Sequence, residues 1–248
     1  MSRRPVCEPP VRVHTQAGVA EITIGTGQRR NALRSAHWRL LAEQMDAVSH
    51  LPSLRAVLVR GTGDTFCSGS DITEWIGAEP DTIEDCFHWM EQAFRAVERC
   101  PIPVVAQIQG TAAGAGCQLA LACDLRVMAD SAHIGMPTAR LGILPSPAFA
   151  ARLVQLAGPA LARQLLYTGQ LLTAPEAVTA GLANLCVPDA DLNDDVAALL
   201  ADIASQPSTA LRAAKRAVAE AAGEPPERHL GPAVSYADLQ RGIARLLS

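Results

Sequence analysis

The chain has 248 residues, of which 49% are apolar and 19% charged, and its formal net charge is −4. This composition excludes intrinsic disorder, and it offers no charge bias toward nucleic acid or an anionic membrane. The length fits one large domain or two small ones, and the low charge leaves apolar surface over for subunit contacts.

In chain order, residues 11–14 and 19–24 are β-rich runs joined by Gln16-Ala17-Gly18, which predicts a hairpin. From Ser35 the spacing of Leu40, Leu41, Met45 and Val48 predicts a helix with Ser35 as its cap. Residues 56–59 read as a buried strand that ends at Gly61-Thr62-Gly63. Phe87, Met90, Phe94 and Val97 mark a helix over 81–99, stopped by Pro101 and Pro103 before a strand at 104–108. Gly110 to Gly116 reads as a turn that opens a buried helix, and 125–128 as the next strand. Helices are expected at 160–166, 174–180, 192–205, 208–222 and 231–247, so the last third reads as nearly all helix.

Seven cysteines are scattered among Ala and Leu, with no Cys-x-x-Cys. They predict buried thiols in a reducing compartment rather than a disulfide framework or a zinc site. The basic start Met-Ser-Arg-Arg-Pro has no apolar stretch behind it, and no run of about 18 apolar residues follows anywhere. The expectation is a cytoplasmic protein without a membrane span or a bound metal.

Two segments carry chemistry. Phe66-Cys67-Ser68-Gly69-Ser70-Asp71-Ile72 follows a strand, and its small residues let a ligand approach backbone N–H groups. Alone it also reads as an ordinary strand exit. Gly110-Thr111-Ala112-Ala113-Gly114-Ala115-Gly116-Cys117-Gln118 places a helix start just after a strand. The first N–H groups of a helix lack intrahelical partners and suit developing negative charge. Alone it also reads as close helix packing.

Together the two segments resemble the signature regions of the enoyl-CoA hydratase/isomerase, or crotonase, superfamily. Gln28-Arg29-Arg30-Asn31-Ala32-Leu33 resembles that family's first CoA-binding turn. Cys123-Asp124-Leu125-Arg126, Leu166-Tyr167-Thr168-Gly169, Leu172-Thr173-Ala174-Pro175-Glu176-Ala177 and Gly181-Leu182-Ala183-Asn184 continue the likeness, which covers roughly residues 10 to 220. The resemblance implies an α/β fold, a spiral of ββα turns over residues 1–190. A helical region, 191–248, would follow, packing on the core and on neighbouring subunits of a homotrimer or dimer of trimers. It implies an acyl-CoA thioester as ligand, with no cofactor besides the coenzyme A of that ligand. Arg30 and Ala32 would lie near the adenine and phosphates. Ser68, Gly69, Asp71 and Ile72 would line the nucleotide and pantetheine path, and Gly114, Pro137 and Gly142 would also bind the substrate. The backbone N–H groups of Ser70 and Ala115 fall where the family builds its oxyanion hole.

The departure from that pattern is specific. The two glutamates of hydratases in this family fall at Gln118 and Thr138, and a third carboxylate position of dienoyl-CoA isomerase relatives falls near Ser146. An amide or an unactivated hydroxyl has no useful basicity near neutral pH. The combination resembles mycobacterial homologues that bind acyl-CoA without hydrating it. Three other readings stay open: an active decarboxylase, isomerase, hydrolase or atypical hydratase; a scaffold subunit without ligand; and a plain doubly wound nucleotide domain. The last lacks both G-x-G-x-x-G after its first strand and a Walker A loop. His88 and Glu91 share one face of the 81–99 helix, which in the family flanks the acyl pocket; a solvated face is the favoured reading and a catalytic role the alternative. Glu74 and Trp75 read as surface residues in preference to a place at the pocket border, and Asp71 and Asp124 as organisers of their turns.

Overall fold

The computed structural model describes residues 9–223 together with 240, 242–244 and 247. A hairpin opens the fold, β1 (Val11–Gln16) against β2 (Val19–Ile24), turning at Ala17 and Gly18 with φ of 50° and 81°. Next come α1 (Ser35–Ser49), β3 (Ala56–Gly61), α2 (Pro80–Arg99) and β4 (Val104–Ile108). The short β5 (Thr111–Ala113) leads into α3 (Ala115–Ala122), β6 (Leu125–Ala129) and β7 (His133–Gly135). The chain then continues through α4 (Pro147–Thr168), β8 (Leu171–Thr173), α5 (Ala174–Thr179), β9 (Leu185–Val187), α6 (Leu192–Ala204) and α7 (Ser208–Ala222).

One sheet has the order β1-β2-β3-β4-β6-β9, parallel throughout except for the hairpin. Its central strands read as unbroken apolar runs because both faces are covered. All five residues of β4 are buried, as are all of β3 except Arg60. The helices α1 and α2 pack on each other, and α6 lies across β3, β4 and β6. A second, three-stranded sheet has the order β5-β7-β8. Single bridges, Leu33 to Ser70 and Cys67 to Ala112, extend this second layer across successive turns of the spiral. Every turn of the chain thus contributes to both layers, and the loops at the edge of the second layer meet one another.

Several boundaries differ from the sequence reading. The cap of α1 is Arg34, extended at ψ 166°, and its N–H donates to the His37 ring 3.2 Å away; Ser35 is the first helical residue. The fourth helix starts at Pro147 instead of at Ala160, with the Ser146 hydroxyl accepting from the Phe149 N–H as its cap. It breaks at Gly158, whose φ of 74° lies outside the helical region, immediately before Pro159. The last third also holds β8 and β9, and β9 closes the edge of the large sheet. Of the helix expected over 231–247, only 240, 242–244 and 247 lie within the described residues. Ile243 is buried, and Gln240 Nε2 donates to the Trp75 carbonyl at 3.0 Å.

No helix among the described residues is long and apolar enough to cross a membrane. Cys67, Cys86, Cys100, Cys117 and Cys123 are buried and free, as read from the sequence; Cys186 is half-buried, and Cys7 lies outside the described residues. Burial pushes the thiols of Cys67, Cys117 and Cys123 up to about 12, which makes them inert packing groups. Asp124 is structural, as expected: its Oδ2 accepts from the Val104 N–H at 2.7 Å and from Lys215 at 2.6 Å.

Candidate functional site

The site forms where three loops of the spiral converge. The first is the turn Gln28–Asn31, in which Arg29, Arg30 and Asn31 hold φ of 49°, 52° and 56°. Three consecutive left-handed residues without glycine are costly and need external support. The support comes from Asn31, fully buried, whose Nδ2 donates to the carbonyls of Thr62 and Thr65 at 2.8 and 2.6 Å. The Arg30 carbonyl in turn accepts from the Ser68 N–H at 3.0 Å.

The second and third loops are the segments 66–72 and 110–118. Their backbones are laced together: Cys67 N–H donates to Thr111 O, and Ala113 N–H to Cys67 O, both at 3.0 Å. Glycine makes this approach possible. A methyl on Gly116 would lie 2.0 Å from the Cys67 carbonyl oxygen, and one on Gly69 only 3.2 Å from the Ala115 nitrogen. Gly114 adopts φ 55° and ψ −120°, a conformation that swings the chain into α3. Among the described residues, neither the Ser70 N–H nor the Ala115 N–H is bonded to a protein acceptor. Both residues line one cavity of about 130 Å³.

The cavity wall includes Ser68, Gly69, Ser70, Ile72, Gly114, Ala115, Pro137 and Thr138, all singled out in the sequence. Ser146 also borders it. Arg30, Ala32, Asp71, Gln118 and Gly142 do not line it. Arg30 is exposed on the first loop, and Gly142, at φ 69°, ends the turn Pro137–Leu141. Asp71 caps the turn Ile72–Trp75, as expected: it accepts from the Thr73 N–H at 3.2 Å and the Thr73 hydroxyl at 2.6 Å, and pairs with Arg29 at 3.0 Å. Burial alone would raise its carboxyl, but those Thr73 and Arg29 contacts outweigh it and hold the group below its ordinary value.

Gln118 is fully buried behind the cavity. Its Nε2 donates to the Phe149 carbonyl at 3.0 Å, and its Oε1 accepts from Arg152 at 3.2 Å. Arg152, 4% exposed, also reaches the two oxygens of Glu91 at 3.0 and 3.3 Å and Glu98 at 2.6 Å. Its guanidinium lies over the Phe94 ring, 5.2 Å from the centroid. This network was not read from the sequence. Arg152 lies 34 positions from Gln118 and 61 from Glu91, so no local spacing could have paired them.

Two expectations about α2 and its neighbours are corrected. Glu91 is not on a solvated face; it is 7% exposed, lines the cavity and is clamped by Arg152, with Arg95 at 3.5 Å. The helix turns this face toward α4 because Phe87, Met90 and Phe94 lie on the same side and pack on the core. His88 is exposed as expected, at the mouth of the same cavity. Trp75 is not a surface residue: it is 2% exposed, stacks on Phe87 with centroids 5.5 Å apart, and forms part of the wall. Glu74 is half-buried and accepts from the Ser35 N–H at 2.8 Å.

The family model described as enoyl-CoA hydratase/isomerase matches residues 14–231. The 2,3-dehydroadipyl-CoA hydratase of Escherichia coli K12 is 32% identical over 243 residues, 95% of this chain and 94% of its own. The crotonyl-CoA hydratase of Syntrophomonas wolfei is 32% identical over 203 residues, 82% of this chain and 78% of its own. Among solved structures, an enoyl-CoA hydratase/carnithine racemase from Magnetospirillum magneticum superposes with a TM-score of 0.83 at 30% identity, covering 97% of this chain and 88% of its own.

Proposed function

This chain belongs to the enoyl-CoA hydratase/isomerase family, and we propose that it binds an acyl-CoA thioester without hydrating it. The thioester carbonyl oxygen sits between the N–H groups of Ser70 and Ala115. Two fixed backbone donors at one cavity favour negative charge on that oxygen, and losing one such donor costs about 10²–10³ in rate where an enolate forms. Arg30 and Ala32 face the adenine and phosphate end, with Ser68, Gly69, Asp71 and Ile72 along the path to the cavity. Pro137, Gly142 and Gly114 shape the acyl end. Coenzyme A enters only as part of the ligand, and no metal or further cofactor takes part.

The observation that carries the second half of the proposal is the state of Gln118. Hydration needs one group to activate water at Cβ and another to deliver a proton at Cα. At position 118 both ends of the amide are taken, by Phe149 O and by Arg152. At position 138 stands a buried hydroxyl with no base to activate it among its described hydrogen-bond partners. Glu91, a carboxylate of the cavity wall that shares Arg152 with Gln118, is engaged through both oxygens by that arginine. We further propose a cytoplasmic homotrimer or dimer of trimers, with residues 191–248 contributing to subunit contacts.

The test combines calorimetry of butyryl-CoA binding with a crotonyl-CoA hydration assay on the same preparation. Saturable binding with hydration no faster than the uncatalysed rate is expected. Robust turnover that disappears in Gln118→Ala overturns the non-hydrating reading, and absence of binding overturns the ligand assignment.

A further inference from the structure

Most polar side chains of the cavity wall already have protein partners. Ser70 Oγ accepts from Trp38 Nε1 at 3.1 Å and donates to Met90 Sδ at 2.8 Å. Ser68 Oγ donates to the Arg29 carbonyl at 3.1 Å, and Ser146 Oγ accepts from the Phe149 N–H at 3.2 Å. Glu91 is neutralised by Arg152 and Arg95, Glu84 is engaged as well, and His88 stands exposed at the mouth. Thr138 differs. It lines the cavity at 5% exposure, and its hydroxyl has no hydrogen-bond partner among the described residues. Its oxygen is not sealed either: the side-chain atoms that are both sealed and unpartnered among the described residues belong to Arg60, Trp75, Arg95 and Gln109. The open surface of the Thr138 hydroxyl therefore faces the cavity. Trp75, with its N–H sealed, offers the cavity only its ring.

Thr138 also stands close to the backbone donors. The Gly135 carbonyl accepts from the Gly114 N–H at 3.0 Å, next to Ala115, and Thr138 follows three residues later. Three residues span at most about 11 Å, so Thr138 meets the first carbons of an acyl chain rather than its far end. From this placement we infer that Thr138 is the specificity-determining residue of the cavity, and that its hydroxyl selects acyl chains carrying a neutral oxygen next to the thioester. The inference rests on the acyl-CoA reading above. A hydroxyl both donates and accepts, so it serves a hydroxyl or a keto oxygen on the ligand. A plain hydrocarbon chain pressed against it takes it out of water and returns no hydrogen bond, whereas an oxygenated chain returns one. The surroundings sharpen the choice, because Ile72, Phe87, Phe94, Leu141 and Phe149 supply no competing polar group.

Calorimetry on the full chain with butyryl-CoA, acetoacetyl-CoA and the two enantiomers of 3-hydroxybutyryl-CoA tests this, since all four acyl groups have four carbons. At least one oxygenated thioester is expected to bind about tenfold more tightly than butyryl-CoA. Thr138→Val keeps the shape of the side chain and removes the hydroxyl, so it is expected to bring the affinities level. Thr138→Ser returns the hydroxyl and should keep the preference, an outcome that a merely structural role for Thr138 does not produce. Thr138→Ala replaces Thr138→Val in the comparison if the valine variant does not fold. Butyryl-CoA binding as tightly as all three oxygenated thioesters overturns the inference while the acyl-CoA reading stands. So does a preference that survives in Thr138→Val, or one lost in Thr138→Ser as well. Binding of none of the four overturns both.

Discussion

Gln118 shows how one atom decides what a buried position permits. Its Nε2 donates to Phe149 O while its Oε1 accepts from Arg152, which an amide does at any pH and an ionised carboxylate cannot. Gln118→Glu would set a carboxylate oxygen against the Phe149 carbonyl and add a third acidic group around one guanidinium. The variant is therefore expected to lose about 1–3 kcal/mol at pH 7 and to gain no hydratase activity. The introduced carboxyl can donate to Phe149 O only when protonated, so folding raises its pKa. Its penalty is full above that raised value and fades as pH falls toward the ordinary carboxylate range. Denaturant titrations at pH 7.5 and 5.5 check this: the gap to the parent protein should narrow at the lower pH.

At the scale of elements, the site depends on two loops being pressed together more closely than side chains allow. Gly116 carries this contact, since any Cβ there would collide with the Cys67 carbonyl. Gly116→Ala must push α3 away from the 66–72 loop. It is expected to cost about 1–3 kcal/mol in stability and to weaken butyryl-CoA binding at least about tenfold. Gly114→Ala is the informative contrast. Its Cβ would meet no atom within 4 Å, so only backbone strain from its positive φ opposes it. It should cost less stability than Gly116→Ala but still turn the Ala115 N–H, which melting curves and calorimetry together would separate. The hairpin, α2, β4 and most helices were legible from period and punctuation alone. The three-residue strands β5, β8 and β9 were not, because three residues are too few to show a period of two. The start of α4 was missed because two prolines around Ser146 read as loop, whereas Pro147 sits at the first helical position, where proline is tolerated.

For the whole molecule, α6 crosses the large sheet, and Gln107 Nε2 reaches Asn193 Oδ1 at 2.9 Å. α7 instead has no buried residue, and its Val218 is 69% exposed. An amphipathic helix left outside the core fits a subunit contact. Light scattering is expected to give the mass of three or six chains, and Val218→Asp to shift it toward one. The sequence by itself determined the class of fold, the two glycine-rich segments and the absence of carboxylates at positions 118 and 138, because these are local: period, backbone freedom and side-chain chemistry are properties of short stretches. Tertiary structure alone decided that Glu91 faces a cavity, that Trp75 walls it, and that Arg152 joins Gln118, Glu91 and Glu98. The physical reason is that burial and ion pairing depend on which distant segments pack together. A charged residue on a helix has the same local pattern whether water or an arginine from another helix stands opposite it.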